Sequence, residues 1–271
     1  MTDVVKITGA TRLYAIVGDP IEQVRSPEVF TPRFAASGMN AVLVPVHVPT
    51  GMFDKVMPAL MAVPNLDGLL VTVPFKARAL PFASVLGTSA RVIGAVNALR
   101  RDAHGSWTGD MFDGVGFVRA AQHKGARLAG RSVLLFGAGG AGSAIACALA
   151  DAGVKSITIS DLDAGRAQAL IERLHLAFPD CELRRGTTRQ GIDMIVNASP
   201  VGMRADDAMP GDIGALDPGT LIGDVVISAS PTALIKRALA HGCTCVTGQE
   251  MHAGQVDAIM TFFNAGVTPT A

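Results

Sequence analysis

Residues 132–142 read Ser132-Val-Leu-Leu-Phe-Gly137-Ala-Gly139-Gly140-Ala141-Gly142. An apolar, β-forming run that breaks into G-x-G-x-x-G and continues as an alanine-rich helical pattern restricts the fold more than any other stretch of the chain. In that context the glycines have separate tasks. Gly137 permits the tight turn, Gly139 lets backbone approach a pyrophosphate, and Gly142 allows the helix to pack against the strand. Gly140 and Ala141 complete the turn, and the helix start offers unpaired N–H groups to an anion. The next β-rich run ends Thr158-Ile159-Ser160-Asp161-Leu162-Asp163. An acidic residue about twenty positions past the glycines accepts hydrogen bonds from ribose hydroxyls and repels a 2′-phosphate. Asp161 falls at the strand end and is assigned that role, and Asp163 the cap of the following helix. NAD is therefore favoured as cofactor, with NADP possible because Arg166 lies within reach of a phosphate.

The rest of the chain repeats the same alternation of short β-rich runs and longer helical patterns, which points to α/β architecture with parallel sheets and crossover helices. Strands are expected at residues 13–18, 41–46, 68–73 and 95–100, the last paired or followed through the loop at His104-Gly105-Ser106. Helices are expected near 28–37 and 51–61. A second unit opens with a helix at Asp113. Strands follow at 132–137, 156–160, 194–198, 221–226 and 244–246, with helices at 142–152, 164–176, 232–241 and 253–264. The expectation is a substrate-binding α/β domain over residues 1–110, completed by 248–271, and a Rossmann-type doubly wound dinucleotide-binding domain over 111–247. The C-terminal helix is expected to return to the first domain.

Composition removes several alternatives. The chain has 271 residues, 49% of them hydrophobic and 17% charged, with a formal net charge of zero. Such a balance lacks the basic footprint of a nucleic-acid protein and the polar excess of a disordered one. The most apolar long stretch, residues 133–150, is broken by the glycine motif, so no membrane span is expected. The first residues lack the basic start and apolar core of a signal peptide, and the four cysteines are too scattered for a disulfide scaffold. A cytoplasmic location follows as the expectation. Cys243-Thr-Cys245 has half of a metal-site spacing, but no matching Cys or His pair accompanies it. It reads as two small residues on one face of a buried strand, and no metal is expected.

Further motifs stand in order along the chain: Gly18-Asp-Pro20-Ile21, Ser26-Pro27, Val71-Thr72-Val73-Pro74-Phe75-Lys76, Ile93-Gly94-Ala95-Val96-Asn97 and Asp113-Gly114-Val115-Gly116-Phe117. Past the glycine motif come Asn197-Ala-Ser-Pro-Val-Gly202-Met203 and Gly248-Gln-Glu-Met251-His-Ala-Gly-Gln255. Together these resemble the shikimate dehydrogenase family over nearly the whole chain. The resemblance implies reversible hydride transfer between a nicotinamide cofactor and a small cyclic hydroxy or keto compound such as shikimate, 3-dehydroshikimate or quinate. It implies Lys76 as the proton-transfer residue with Asp113 as its partner. An alkoxide that develops during carbonyl reduction needs such an acid nearby, while Asp113 alone would read as an ordinary helix cap. Ser26, Thr72, Asn97 and Gln255 match substrate-binding positions. Asn197, Ser199, Val201, Gly202 and Met203 match the loop beside the nicotinamide, the last two letting the ring sit near backbone and a soft apolar side chain.

The match breaks at one end of the substrate. The family's Ser-x-Ser pair and tyrosine around the carboxylate are here Val24 with Ser26, and Ile227. Leu70, Phe75, Met111 and Phe112 also replace polar family residues. A carboxylate buried against Val24 and Ile227 without replacement donors would cost several kcal/mol. The expectation is a substrate whose carboxylate is altered, repositioned or bound by something else such as Arg25. The opposing expectation is that backbone amides, Ser26 and Arg25 compensate and shikimate still fits. A catalytically decayed dinucleotide-binding sensor is the alternative function, disfavoured by the retained Lys76 and Asp113. A small-molecule substrate is the expected partner, and a monomer or a homodimer the expected assembly.

Overall fold

β-branched and leucine-rich runs bounded by glycine, proline and asparagine become the strands, and the alanine-, leucine- and methionine-rich segments between them become the helices. The computed structural model describes residues 6–204, 206–228 and 230–264. The chain divides into two compact units, one running to Met111 and resuming at Ile259, the other spanning Phe112–Ala258. Among the described residues no helix is long and apolar enough to cross a membrane.

The first unit holds β1 (Arg12–Gly18), α1 (Ser26–Ala36), β2 (Ala41–His47), α2 (Phe53–Met61), β3 (Leu66–Val71), β4 (Val85–Leu86), α3 (Thr88–Ile93), β5 (Ala98–Arg101) and β6 (Trp107–Asp110). Its six strands are ordered β2-β1-β3-β5-β6-β4. The β2-β1-β3 half is parallel, as the crossovers require. The other half departs from an all-parallel sheet, because β5 runs antiparallel to both β3 and β6. The cause is local. Asp102 accepts hydrogen bonds from the N–H groups of His104 and Ser106 at 2.8 and 2.9 Å, closing a short loop too tight for a crossover helix. Phe53, Met57, Leu69, Phe75, Leu99 and Trp107 form part of the core on one face. On the other, Tyr14 and Phe34 pack their rings at 4.5 Å.

The second unit holds α4 (Asp113–His123), β7 (Ser132–Phe136), α5 (Gly140–Asp151), β8 (Ser156–Ser160), α6 (Ala164–Ala177), β9 (Glu182–Arg185), β10 (Met194–Asn197), β11 (Leu221–Asp224), α7 (Ala233–Ala240), β12 (Thr244–Thr247) and most of α8 (Gly248–Asn264). The sheet order is β12-β11-β10-β7-β8-β9 and every neighbouring pair is parallel. The order in which strands are added therefore reverses between β7 and β10, the doubly wound order whose switch point opens a crevice beyond the strand carboxyl ends. Cys243 and Cys245 are both buried beside this sheet. From Ile259 onward α8 belongs to the first unit, where Phe263 lies 4.8 Å from the ring of Tyr14.

Candidate functional site

In the first unit, backbone pairing gathers the residues singled out in sequence at the carboxyl ends of β1 and β3. Thr72 N–H donates to Val17 O at 3.0 Å and Asp19 N–H to Val73 O at 3.0 Å, which ties the loop after β1 to the loop after β3. Val71 N–H donates to Asn97 O at 2.8 Å, and Val96 N–H to Lys76 O at 2.9 Å. The lysine loop is thus stitched to the segment that enters β5, so Thr72, Lys76 and Asn97 share one end of the sheet. Asn97 is buried and Lys76 half-buried. Beneath them Phe75 is fully buried and stacks on Phe53 at 4.1 Å, anchoring the turn from the inside.

The loop after β1 has its own brace. Asp19 accepts from Thr50 N–H and Oγ1 at 2.8 and 2.7 Å and lies 2.9 Å from His47 Nε2. The histidine hydrogen bond, followed by those from Thr50, holds its carboxyl below the usual carboxylate range. Ser26 is buried at the start of α1 and Val24 is half-buried just before it. Arg25 is exposed and its guanidinium pairs with Glu28 at 2.7 Å.

In the second unit α4 begins at Asp113 itself, with Phe112 as the N-cap position and no side-chain cap. The helix-cap role of Asp113 therefore gives way to another. Its buried carboxylate accepts a hydrogen bond from Gln255 Nε2 at 2.7 Å. Asp163 does cap a helix, its Oδ1 accepting from Arg166 N–H at 3.0 Å.

The glycine turn has the form that its spacing implies. Gly137 has φ +95°, left-handed backbone that a side chain strains. A Cβ on Gly142 would lie 1.9 Å from Gly137 O, so helix and strand approach only through glycine there. At Gly139 and Gly140 a Cβ would meet nothing within 4 Å, leaving the start of the 12-residue α5 open to a ligand. Asp161 closes the turn from β8: Oδ2 accepts from Ala138 N–H at 2.7 Å and Oδ1 from Asp163 N–H at 2.8 Å. Arg166 stands 3.9 Å from Asp161 and 3.7 Å from Asp163. Leu162, between the two carboxylates, is fully exposed.

On the other side of the switch point, Asn197 ends β10 and is fully buried. Its amide donates to Val201 O at 2.8 Å, and its Oδ1 accepts from Ser199 N–H and Oγ at 3.1 and 2.6 Å. Asn197 thus shapes the loop from within, while Met203 at its far end is 69% exposed. Asp207 accepts from Gly202 N–H at 2.8 Å and Arg204 N–H at 3.1 Å.

Two residues went unnoticed in the sequence. Asp224 ends β11 only 2% exposed and bonds to both Asn197 and Thr232, and burial pushes its carboxyl above the usual range. Asp110, likewise raised by burial, accepts from Ala90 N–H and Met111 N–H and so fixes the start of α3. A lone aspartate at a strand end carries no sequence signal of its burial. Ile227, three residues past Asp224, is 65% exposed.

Leu70, Phe75, Met111 and Phe112, where polar residues were expected from the resemblance, are all buried. Apolar packing occupies these positions, so no unpaired polar atom is stranded there.

Comparison with known proteins identifies the family and fold. A family model described as the shikimate dehydrogenase substrate binding domain matches residues 16–99. The shikimate dehydrogenase (NADP(+)) of Rubrobacter xylanophilus is 36% identical over 253 residues, covering 91% of this chain and 88% of that protein. The crystal structure of shikimate 5-dehydrogenase from Listeria monocytogenes in complex with shikimate and NAD superposes with a TM-score of 0.87 at 27% identity, covering 97% of this chain and 95% of the other. The ligand-free 5-ketofructose reductase of Gluconobacter sp. strain CHM43 gives a TM-score of 0.86 at 26% identity, covering 95% and 94%. By sequence over nine-tenths of its length and by fold over nearly all of it, this chain belongs to the shikimate dehydrogenase family and is an oxidoreductase of that type.

Proposed function

We propose that the protein is an NAD-preferring dehydrogenase that interconverts a ring hydroxyl and a ketone on a small cyclic polyol, with a substrate altered at the end where shikimate carries its carboxylate. The observation that carries this reading is the split in chemistry among the positions that the resemblance matches to substrate binding. Thr72, Lys76 and Asn97 keep donors and acceptors for hydroxyl groups at one end of the first sheet. Val24 and the exposed Ile227 offer none at the positions matched to carboxylate binding, and Arg25 is engaged by Glu28. A relative named for a ketose supports it, since 5-ketofructose has two carbonyls and no carboxylate.

The cofactor reading rests on fit. Gly137, Gly139, Gly140, Ala141 and Gly142 would cradle the pyrophosphate at the start of α5. Asp161 would face the ribose, and the loop carrying Ser199, Val201, Gly202 and Met203 the nicotinamide. When bound, the nicotinamide supplies or accepts the hydride. This chain's residues do the remaining work. Lys76 gives a proton to the oxygen as the ketone is reduced and removes it in the reverse direction, a contribution of about 10²–10⁴ in rate. Asp113, itself oriented by Gln255, is its partner, and Thr72 and Asn97 fix the neighbouring hydroxyls. Asp161 just past the end of β8 would repel a 2′-phosphate, with Asp163 adding a second carboxylate to the same loop, which supports NAD over NADP.

The test is the rate of NAD reduction with shikimate, quinate and a panel of cyclic and ketose polyols lacking a carboxylate. The carboxylate-free compounds are expected to give the higher kcat/KM; a clear preference for shikimate sinks the altered-end reading. Lys76→Ala should slow turnover by about 10²–10⁴-fold while leaving NAD binding intact. A non-catalytic sensor, by contrast, would show no turnover for the substitution to remove.

A further inference from the structure

The mechanism above makes no use of Asp224, yet this carboxylate is buried and heavily engaged. It ends β11 and accepts three hydrogen bonds: Thr232 Oγ1 to Oδ2 at 2.6 Å, and Asn197 Nδ2 and Val226 N–H to Oδ1, each at 3.1 Å. No ion pair among the described residues includes it. A buried carboxylate held by neutral donors alone is costly, so its place needs a reason.

The three donors lie on two loops. Asn197 leads into residues 198–203, whose turn its side chain holds through Val201 and Ser199. Val226 and Thr232 bracket the loop after β11, which carries Ile227. Thr232 also closes that loop by capping α7, accepting from Ile235 N–H at 3.3 Å. The loops touch as well, because a Cβ on Gly202 would lie 3.2 Å from Thr232 Cγ2. A carboxylate accepts from all three groups at once. An amide could keep the same contacts by donating its NH2 to Thr232 Oγ1, so at position 224 the link breaks only when the polar group is removed.

We propose that Asp224 is a positioning residue that fastens the 198–203 loop and the 225–232 loop to one another, so that the cofactor-facing and substrate-facing walls of the second unit are set as one piece. The assignment of those walls rests on the function proposed above, whereas the coupling between the loops does not. Asp224→Ala and Thr232→Val each break the link, and Thr232→Ser retains it. Leu170→Ala, in the core under α6, serves as a variant destabilised elsewhere.

Hydrogen exchange on the ligand-free protein reads the coupling directly. Amides in 198–203 and 225–228 are expected to exchange faster together in Asp224→Ala and Thr232→Val, and to stay at the wild-type rate in Thr232→Ser and Leu170→Ala. In steady-state kinetics the same two variants should lose kcat by up to about a hundredfold, as expected when reacting groups are misplaced by an ångström, with KM rising for cofactor and substrate alike. Should Asp224→Ala not fold, the Thr232 pair carries the test alone. Acceleration in one loop only, or the same exchange as Leu170→Ala, overturns the proposal. A wild-type protein that fails to turn over with NAD overturns the function and leaves the exchange result standing.

Discussion

Leu162 shows how much a single position can decide. It is fully exposed between Asp161 and Asp163, and Arg166 reaches both carboxylates only at 3.7–3.9 Å. The loop therefore carries two negative charges and one loosely held cation, and in the function proposed above it would face the adenosine end of the cofactor. Leu162→Arg adds a second cation without disturbing the hydrogen bond from Ala138 N–H that Asp161 needs to hold the glycine turn. The ratio of kcat/KM values should move toward NADP by at least roughly tenfold, the equivalent of about 1.4 kcal/mol. Parallel assays with NAD and NADP check this, and an unchanged ratio would show that the phosphate does not approach this loop. Asp161 was legible in the sequence because strand-end spacing points to it. Asn197 was legible only as a loop residue: its place on the inside of that loop depends on partners at Val201 and Asp224, which spacing alone does not reveal.

Among elements, the approach of α4 to α8 matters most for the site. Their contact runs through glycine, since a Cβ on Gly116 would sit 2.3 Å from Met251 O and 2.8 Å from Gln255 N. That closeness lets Gln255, on α8, reach Asp113 at the start of α4. Gly116→Ala gains helix propensity and still should destabilise the protein by about 1–3 kcal/mol, because backbone has to move. It should also lower kcat/KM more than an equally destabilising change in the distant core, as Gln255 is carried off Asp113. Denaturant midpoints measured beside initial rates separate the two effects. The sequence offered Asp113-Gly-Val-Gly only as a motif; that its second glycine is a helix contact needed α8 in place. Edge pieces were missed for a different reason. β9 reads Glu182-Leu-Arg-Arg and is largely exposed, so it lacks the alternation that marks a strand. β4 has only two residues and α3 six, too short for any period to register.

Over the whole molecule, periodicity sufficed for the second sheet apart from its edge strand β9 and fell short for the first. A parallel sheet built from crossovers follows from alternating strand and helix signals, whereas the antiparallel turn through β5 and β6 depends on the few residues around Asp102. The last helix ties this larger organisation to a measurable consequence. α8 is one continuous element, yet from Ile259 its residues belong to the unit built on β1. There Phe263 is buried against Tyr14 at 4.8 Å, Phe30 at 6.3 Å and Phe34 at 6.4 Å. Phe263→Ala should cost about 3–5 kcal/mol, the usual range for emptying a buried aromatic site. Cooperative units of a protein open separately when their cores are separate. Native-state hydrogen exchange should then show lost protection in β1 and α1 while amides in β7 and β10 keep theirs. Equal loss in both sheets would instead mean that α8 makes one cooperative unit of the two.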